Sequence, residues 1–257
     1  MTDPARIPSP DVRVRFGAGL RHAVGEEVAR LGCRRALILS TPQQSDAAMG
    51  VAEALGDAAA GLFARATMHT PVEVSDEAAA YLSELRADCV VAIGGGSTTG
   101  LGKAIALRTD VPQIVIPTTY AGSEATPILG QTEGGVKTTM TTPRVLPEVI
   151  LYDPELVISL PVVMTVTSGL NAIAHAAEAL YAPNRSAASD ARAVAGMTAF
   201  AHSLPRVVAA PGDVAAREET LRGAYACGAV LGMVGMALHH KLCHTLGGAL
   251  HLPHADT

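Results

Sequence analysis

Short runs of β-branched and aliphatic residues alternate with segments of helical period through the first half of the chain. Extended runs are predicted at DVRVRF (11–16), RALILS (35–40), GLFAR (61–65), CVVAI (89–93) and QIVIP (113–117). Between them, Leu20, Val24, Val28 and Leu31 fall on one helical face, and helical patterns also cover Ala47 to Leu55, Glu73 to Leu85 and Leu101 to Leu107. CVVAI and QIVIP are continuously apolar rather than alternating, as expected of strands with both faces covered. The exchange of strand and helix predicts an α/β fold, a mostly parallel sheet covered by helices. Val136 to Met140 and Val149 to Tyr152 are predicted to form an irregular β excursion.

From about Asp153 the signals turn helical: SGLNAIAHAAEALY (168–181), SAASDARAVAGMTAFAHSL (186–204) and a long run from Val214 to Leu238. Ser186 and Asp190 are candidate helix starters, and PGD at 211–213 marks a turn. Two domains are therefore expected, an α/β domain over 1–155 and an all-helical domain over 156–257.

Composition narrows the function classes. At 257 residues, with 49% hydrophobic and 17% charged residues, the chain can bury a core and does not resemble a disordered one. Aromatics make up 3% and the formal net charge is −5, so no stacking platform or basic stripe points to nucleic acid. Cys33, Cys89, Cys227 and Cys243 form no CxxC unit and read as small buried residues in a reducing compartment. The N-terminus carries no apolar export segment, and GAYACGAVLGMVGMAL (223–238) is shorter than a membrane span. A cytoplasmic protein acting on small molecules is expected, with no membrane and no nucleic acid among its partners.

Gly94, Gly95, Gly96 and Ser97 follow a buried strand and open a helix. Backbone without side chains can approach a phosphate closely, and the first free amides of a helix donate to its oxygens. The segment matches neither GxGxxG nor the P-loop pattern, so a tight strand-to-helix turn is the structural alternative. Thr118 and Thr119, after the next strand, offer hydroxyls to a ribose or adenine. The residues after RALILS, Thr41, Pro42 and Gln43, include no acid to grip a ribose diol, which leaves NADH and NADPH both open.

Asn171 and His175 stand four apart in a helical pattern, and His240 and His244 repeat the spacing, with His254 following. Asn171, His175, His240 and His254 are candidate ligands of a divalent metal; core, capping or surface roles are the alternatives.

Taken together, GGGSTTGLGK, IPTTYAGSEAT, DPEL, SGLNAIAHAAEALY and HHKLCHTLGGALHLPHADT resemble the iron-containing alcohol dehydrogenase family, and more closely its maleylacetate reductase branch. The resemblance spans nearly the whole chain. It implies a nicotinamide-binding α/β domain followed by a helical catalytic domain, which here stops three residues after His254, short of the family's further helices. Gly94, Gly95, Gly96 and Ser97 then correspond to the pyrophosphate loop, Lys103 to the lysine after it, and Thr118 and Thr119 to contacts with the nucleoside half.

The family's metal set begins with an aspartate where this chain has Asn171, so iron or zinc becomes optional. Gly100 stands where alcohol-oxidising relatives often carry an acid. The implied reaction is NADH- or NADPH-dependent reduction of maleylacetate to 3-oxoadipate, with a small anionic dicarboxylate as substrate. His244 is the leading proton donor and His69 a second catalytic candidate. Arg144 is a candidate cation for the substrate carboxylates, and a homodimer is a further expectation. A metal-dependent alcohol dehydrogenase and a non-catalytic binding homologue are the alternatives.

Overall fold

In a computed structural model, residues 12–235 and residue 242 are described. Two units divide the chain: residues up to Pro117 with Pro127–Asp153, and Thr118–Thr126 with the chain from Pro154 onward.

The first unit is built on six parallel strands in the order β1-β8-β5-β4-β2-β3. These are β1 (Arg13–Phe16), β2 (Ala36–Leu39), β3 (Ala59–Phe63), β4 (Cys89–Gly94), β5 (Gln113–Pro117) and β8 (Val149–Tyr152). Every residue of β2, β4, β5 and β8 is buried, which accounts for their unbroken apolar sequences. Helices α1 (Val24–Arg30), α2 (Ser45–Leu55), α3 (Val72–Glu84) and α4 (Gly96–Thr109) connect them. Leu37, Leu39, Val90, Ala92 and Val115 of the sheet pack with Ala78 and Leu82 of α3 and Leu101 and Ile105 of α4. At the sheet edge, Glu27 of α1 takes Arg13 Nε at 3.0 Å and Arg15 NH1 at 2.8 Å, tying β1 down.

Both expected strands of the β excursion are present, but they join different sheets. Val136 to Met140 does not pair with Val149 to Tyr152. It lies in β7 (Val136–Thr141), antiparallel to β6 (Ile128–Glu133), and β8 enters the main sheet between β1 and β5. The cause is local: Gly134 and Gly135 have φ of 55° and 81°, the two positive values a two-residue hairpin turn needs. VILY, apolar at every position, suits a two-sided core instead.

The second unit carries α5 (Val162–Ala179), α6 (Ala187–Ala209) and α7 (Val214–Leu231). Ser186 caps α6 through a capping box with Ser189, while Asp190 lies inside its first turn; Asp213 caps α7. Helix α7 ends at Leu231 with Gly232 at its C-cap, earlier than the Leu238 predicted from apolar content alone.

Arg217, fully buried, organises this unit. Its guanidinium donates to Tyr120 Oη (3.2 Å), Thr165 Oγ1 (2.7 Å) and the carbonyls of Pro211 (3.0 Å), Ile158 (3.3 Å) and Leu160 (3.1 Å). Backbone meets backbone between Gly122 and Gly228, where a methyl group on either would strike the other chain segment. Among the described residues no helix is long and apolar enough to cross a membrane.

Candidate functional site

In the α/β unit, β2 and β4 are neighbours whose outgoing connections run to opposite sides: β2 leads by α2 to β3, and β4 leads by α4 to β5. Such a reversal opens a crevice at the carboxyl ends of the two strands, where open α/β sheets bind ligands. Gly94, Gly95, Gly96 and Ser97 stand there, at the end of β4 and the start of α4.

Gly94 has φ of +155°, and a Cβ on it would run into Thr98 Oγ1 and lie 2.8 Å from Gln44 Oε1. Glycine is thus required by its backbone conformation and by the close approach of Thr98 and of the short 3-10 helix Pro42–Gln44 that follows β2. Gly95 is the N-cap of α4 and contributes no side-chain cap, so the amides of Gly96, Ser97 and Thr98 keep their donors directed at whatever enters the crevice. Gly96 is exposed and Ser97 half-buried, so the turn is reachable. The Thr98 Oγ1 atom, packed against Gly94, and the Ser40 Oγ atom, one residue past β2, are buried and make no hydrogen bond within the described residues.

Free helix amides, the positive end of a fourteen-residue helix and a glycine turn open to solvent fit a pyrophosphate. A nicotinamide dinucleotide fits this cradle.

The other predicted cofactor residues are placed differently. Lys103, on α4, is 1% exposed and its Nζ donates to Ile128 O at 2.9 Å, which tethers the hairpin to the helix. Thr118 follows Pro117, the residue of β5 paired with Gly94, and is buried, with Thr119 half-buried beside it.

His69 is exposed in the connection from β3 to α3, also on the carboxyl side of the sheet. It and Thr70 both take positive φ, 65° and 46°, an uncommon conformation for non-glycine residues. Thr70 is buried and packs so closely on Gly100 that a Cβ there would meet its Oγ1, so a side chain at position 100 requires Thr70 to move. Arg144 does not serve the crevice. It bonds Leu107 O (3.0 Å) and pairs with Asp110 (3.3 Å) at the far end of α4.

In the helical unit, Asn171 and His175 share a face of α5 one turn apart, with Glu178 a turn beyond; Asn171 is half-buried, and His175 and Glu178 are buried. His240, His244 and His254 lie outside the described residues. With Asn171 in the place of a carboxylate, the proposed set is a neutral amide oxygen and three imidazoles, without an anionic donor for a divalent ion. Among the described residues, the acid, thiol or imidazole group whose donor atoms converge lies in the α/β unit and not at His175. Of that set, Asn171 and His175 are the members that lie among the described residues.

Sequence reasoning missed Gln44, whose contact at Gly94 is made across the sheet and carries no motif; Thr98 was visible within GGGSTTG, but not its packing on Gly94. It also missed Thr70, whose role depends on the absence of a side chain thirty residues later.

Comparisons with known proteins agree with this architecture. The family model described as iron-containing alcohol dehydrogenase matches residues 10–154, and that of the Fe-containing alcohol dehydrogenase family, C-terminal, matches residues 165–257. A maleylacetate reductase of Rhizobium sp. (strain MTP-10005) is 62% identical over 245 residues, covering 95% of this chain and 70% of the relative. One from Burkholderia cepacia is 57% identical over 252 residues, covering 98% of this chain and 70% of its own length. The crystal structure of the maleylacetate reductase from Agrobacterium tumefaciens superposes with a TM-score of 0.96 at 60% identity, covering 99% of this chain and 73% of that one.

Proposed function

The chain belongs to the iron-containing alcohol dehydrogenase family, in its maleylacetate reductase branch, and from that membership we propose that it reduces maleylacetate to 3-oxoadipate with NADH or NADPH. The observation that carries the reading from the structure is the uncapped glycine turn at the strand-order reversal, which supplies a dinucleotide pyrophosphate with amide donors and no competing side chain.

The substrate is a dicarboxylate whose alkene is conjugated to a ketone. When bound, the reduced nicotinamide supplies a hydride to the alkene carbon beta to that ketone. The electron pair of the double bond then resides on the enolate, and a proton must reach the carbon alpha to the ketone. His244 is assigned that proton, because an imidazole exchanges one near neutral pH. Gly94 to Ser97 hold the pyrophosphate, Thr118 and Thr119 the nucleoside half, and Lys103 supports the loop through its helix. His69 is assigned to the substrate or nicotinamide side of the crevice. Asn171, His175, His240 and His254 are the residues that would hold a divalent metal; an amide oxygen in place of a carboxylate lowers the affinity of such a set, and enone reduction needs no Lewis acid in principle, so the reaction is assigned without one. The reading places the enzyme in the cytoplasm as a homodimer.

The test is an assay of the purified chain with maleylacetate, following loss of NADH or NADPH absorbance before and after chelation, alongside oxidation of simple alcohols. Enone reduction insensitive to chelator is expected. Alcohol oxidation that needs added metal, with no turnover of maleylacetate, overturns the assignment in favour of a metal-dependent alcohol dehydrogenase. His244→Ala should lower kcat by roughly 100-fold or more, the usual range of general acid–base catalysis, with cofactor affinity unchanged.

A further inference from the structure

The amino-terminal rim of the sheet, away from the glycine turn, holds a second cluster. Cys89 opens β4 and pairs in register with Ala36 at the start of β2; Cys33 sits in the turn between α1 and β2, and Asp88 immediately precedes β4. The two sulfurs and a carboxylate oxygen of Asp88 all lie within 4.8 Å of one another. Gly94 lies five residues on from Cys89, about 16 Å along the strand, so the cluster is remote from the dinucleotide cradle.

The cluster is held in place. The Asp88 carboxylate accepts from the amides of Arg34 (2.9 Å to Oδ2) and Arg35 (2.9 Å to Oδ1), and the Asp88 amide returns a bond to Arg35 O at 2.8 Å. The Cys33 amide donates to Val28 O at 3.0 Å, and its thiol lies 3.5 Å from Asp88 O. Cys89 is buried, Cys33 half-buried and Asp88 exposed, so two donors face inward and the third borders solvent. Carboxylate anchoring by backbone amides and a buried thiol opposite make a site that is preorganised on one side and open on the other.

We infer that Cys33, Asp88 and Cys89 form a binding site for a soft divalent cation of the zinc and cadmium class. Thiolate donors select such ions, and a tetrahedral ion with metal–sulfur bonds of about 2.3 Å and metal–oxygen bonds of about 2.0–2.2 Å completes its shell with water. Ligands of that ion stand a little under 4 Å apart, so closure of the cluster takes movement of roughly an ångström by the half-buried Cys33 and the exposed Asp88. A cysteine thiol is ordinarily neutral at pH 7 and binds a metal as the thiolate. Binding therefore releases two protons: one cation, two thiols and one carboxylate give a singly anionic complex and two hydrogen ions, with no change of oxidation state. Its effect is to clamp the turn after α1 to the head of β4.

The test is a Cd2+ titration of the reduced, full chain, read by the ultraviolet sulfur-to-cadmium charge-transfer band. One equivalent should saturate the band. Cys33→Ser and Cys89→Ser should each abolish the tight phase. Asp88→Asn should weaken it by at least the roughly 10-fold that loss of an outer-shell partner already costs. Because Cys89 is buried and its substitution tests folding as well as binding, the decision rests on Cys33→Ser and Asp88→Asn, with circular dichroism checked on the same samples. NADH binding should be unchanged in both. A band absent at several equivalents, or one undiminished in Cys33→Ser, overturns the site; a thiol pair that has joined as a disulfide and binds no Cd2+ after reduction does the same.

Discussion

Two buried polar sites, one in each unit, are treated in opposite ways. In the helical unit Arg217 has no exposed surface and five oxygen acceptors, three of them carbonyls and two hydroxyls, so the charge is met from all sides by the fold itself. In the α/β unit, Thr98 Oγ1 and Ser40 Oγ are equally buried and make no bond, and the amides above them have no side-chain cap. A buried polar atom without a partner costs about 1–3 kcal/mol, and at Thr98 a ligand held by the glycine turn is positioned to offset that cost. At Arg217 the polar groups serve the architecture; at Thr98, Gly94 and the open turn beside the hydroxyl mark the place a ligand enters.

The contrast breaks first at Arg217. Arg217→Met removes one donor group from five acceptors, and with each lost partner costing about 1–3 kcal/mol the helical unit should lose about 4 kcal/mol after water re-enters, read as a lower denaturant midpoint. A midpoint unchanged by the substitution means the network is not structural. Gly94→Ala acts at the other pole. Its Cβ has to displace Thr98 and Gln44, and NADH affinity measured by fluorescence titration should fall about 100-fold, equivalent to about 2.7 kcal/mol, in a chain that still folds.

Thr98→Val sharpens the comparison further. Removing a hydroxyl that the fold leaves unbonded should not lower stability, while cofactor affinity drops about 10-fold, or about 1.4 kcal/mol. A clear loss of stability would show that the hydroxyl belongs to the fold after all. The smallest effect is at the sheet edge. Burial opposes ionisation of Glu27, but hydrogen bonds and charge from Arg15 and Arg13 outweigh it and hold the carboxyl below its ordinary value near 4.5. A depressed carboxylate stabilises the fold above its unfolded value and loses that contribution as pH falls through the folded one. Glu27→Gln should thus cost about 1 kcal/mol at pH 7, since its arginine partners are partly exposed, and the gap to the parent chain should close below pH 4.5 in urea titrations.

The carboxyl rim of the sheet was readable because its chemistry is contiguous. CVVAI, the glycines 94–96 and Ser97 are consecutive, and the strand, turn and helix they encode follow from apolar run, missing side chains and helical period. Strand β7 was legible but its partner β6 was not, although Gly134–Gly135 stood between them, because ILGQTE does not alternate and its pairing depends on the turn's backbone angles. Asn171 and His175 were legible as a pair on one helical face; whether further imidazoles join them is a question of tertiary distance that no spacing answers.

The sequence by itself determined the alternation of strand and helix, the glycine turn and the family, since each rests on neighbours in the chain and on periods of two and 3.6 residues. Tertiary structure alone decided which distant groups meet. It set Gln44 and Thr98 around Gly94, closed Arg217 on Tyr120 and Thr165, and laid Cys33 against Cys89, fifty-six positions on, where the cysteines had read as four isolated small residues. Parallel pairing of β2 with β4 is the physical reason for the last: it sets Ala36 beside Cys89 and brings with each strand the residues that precede it.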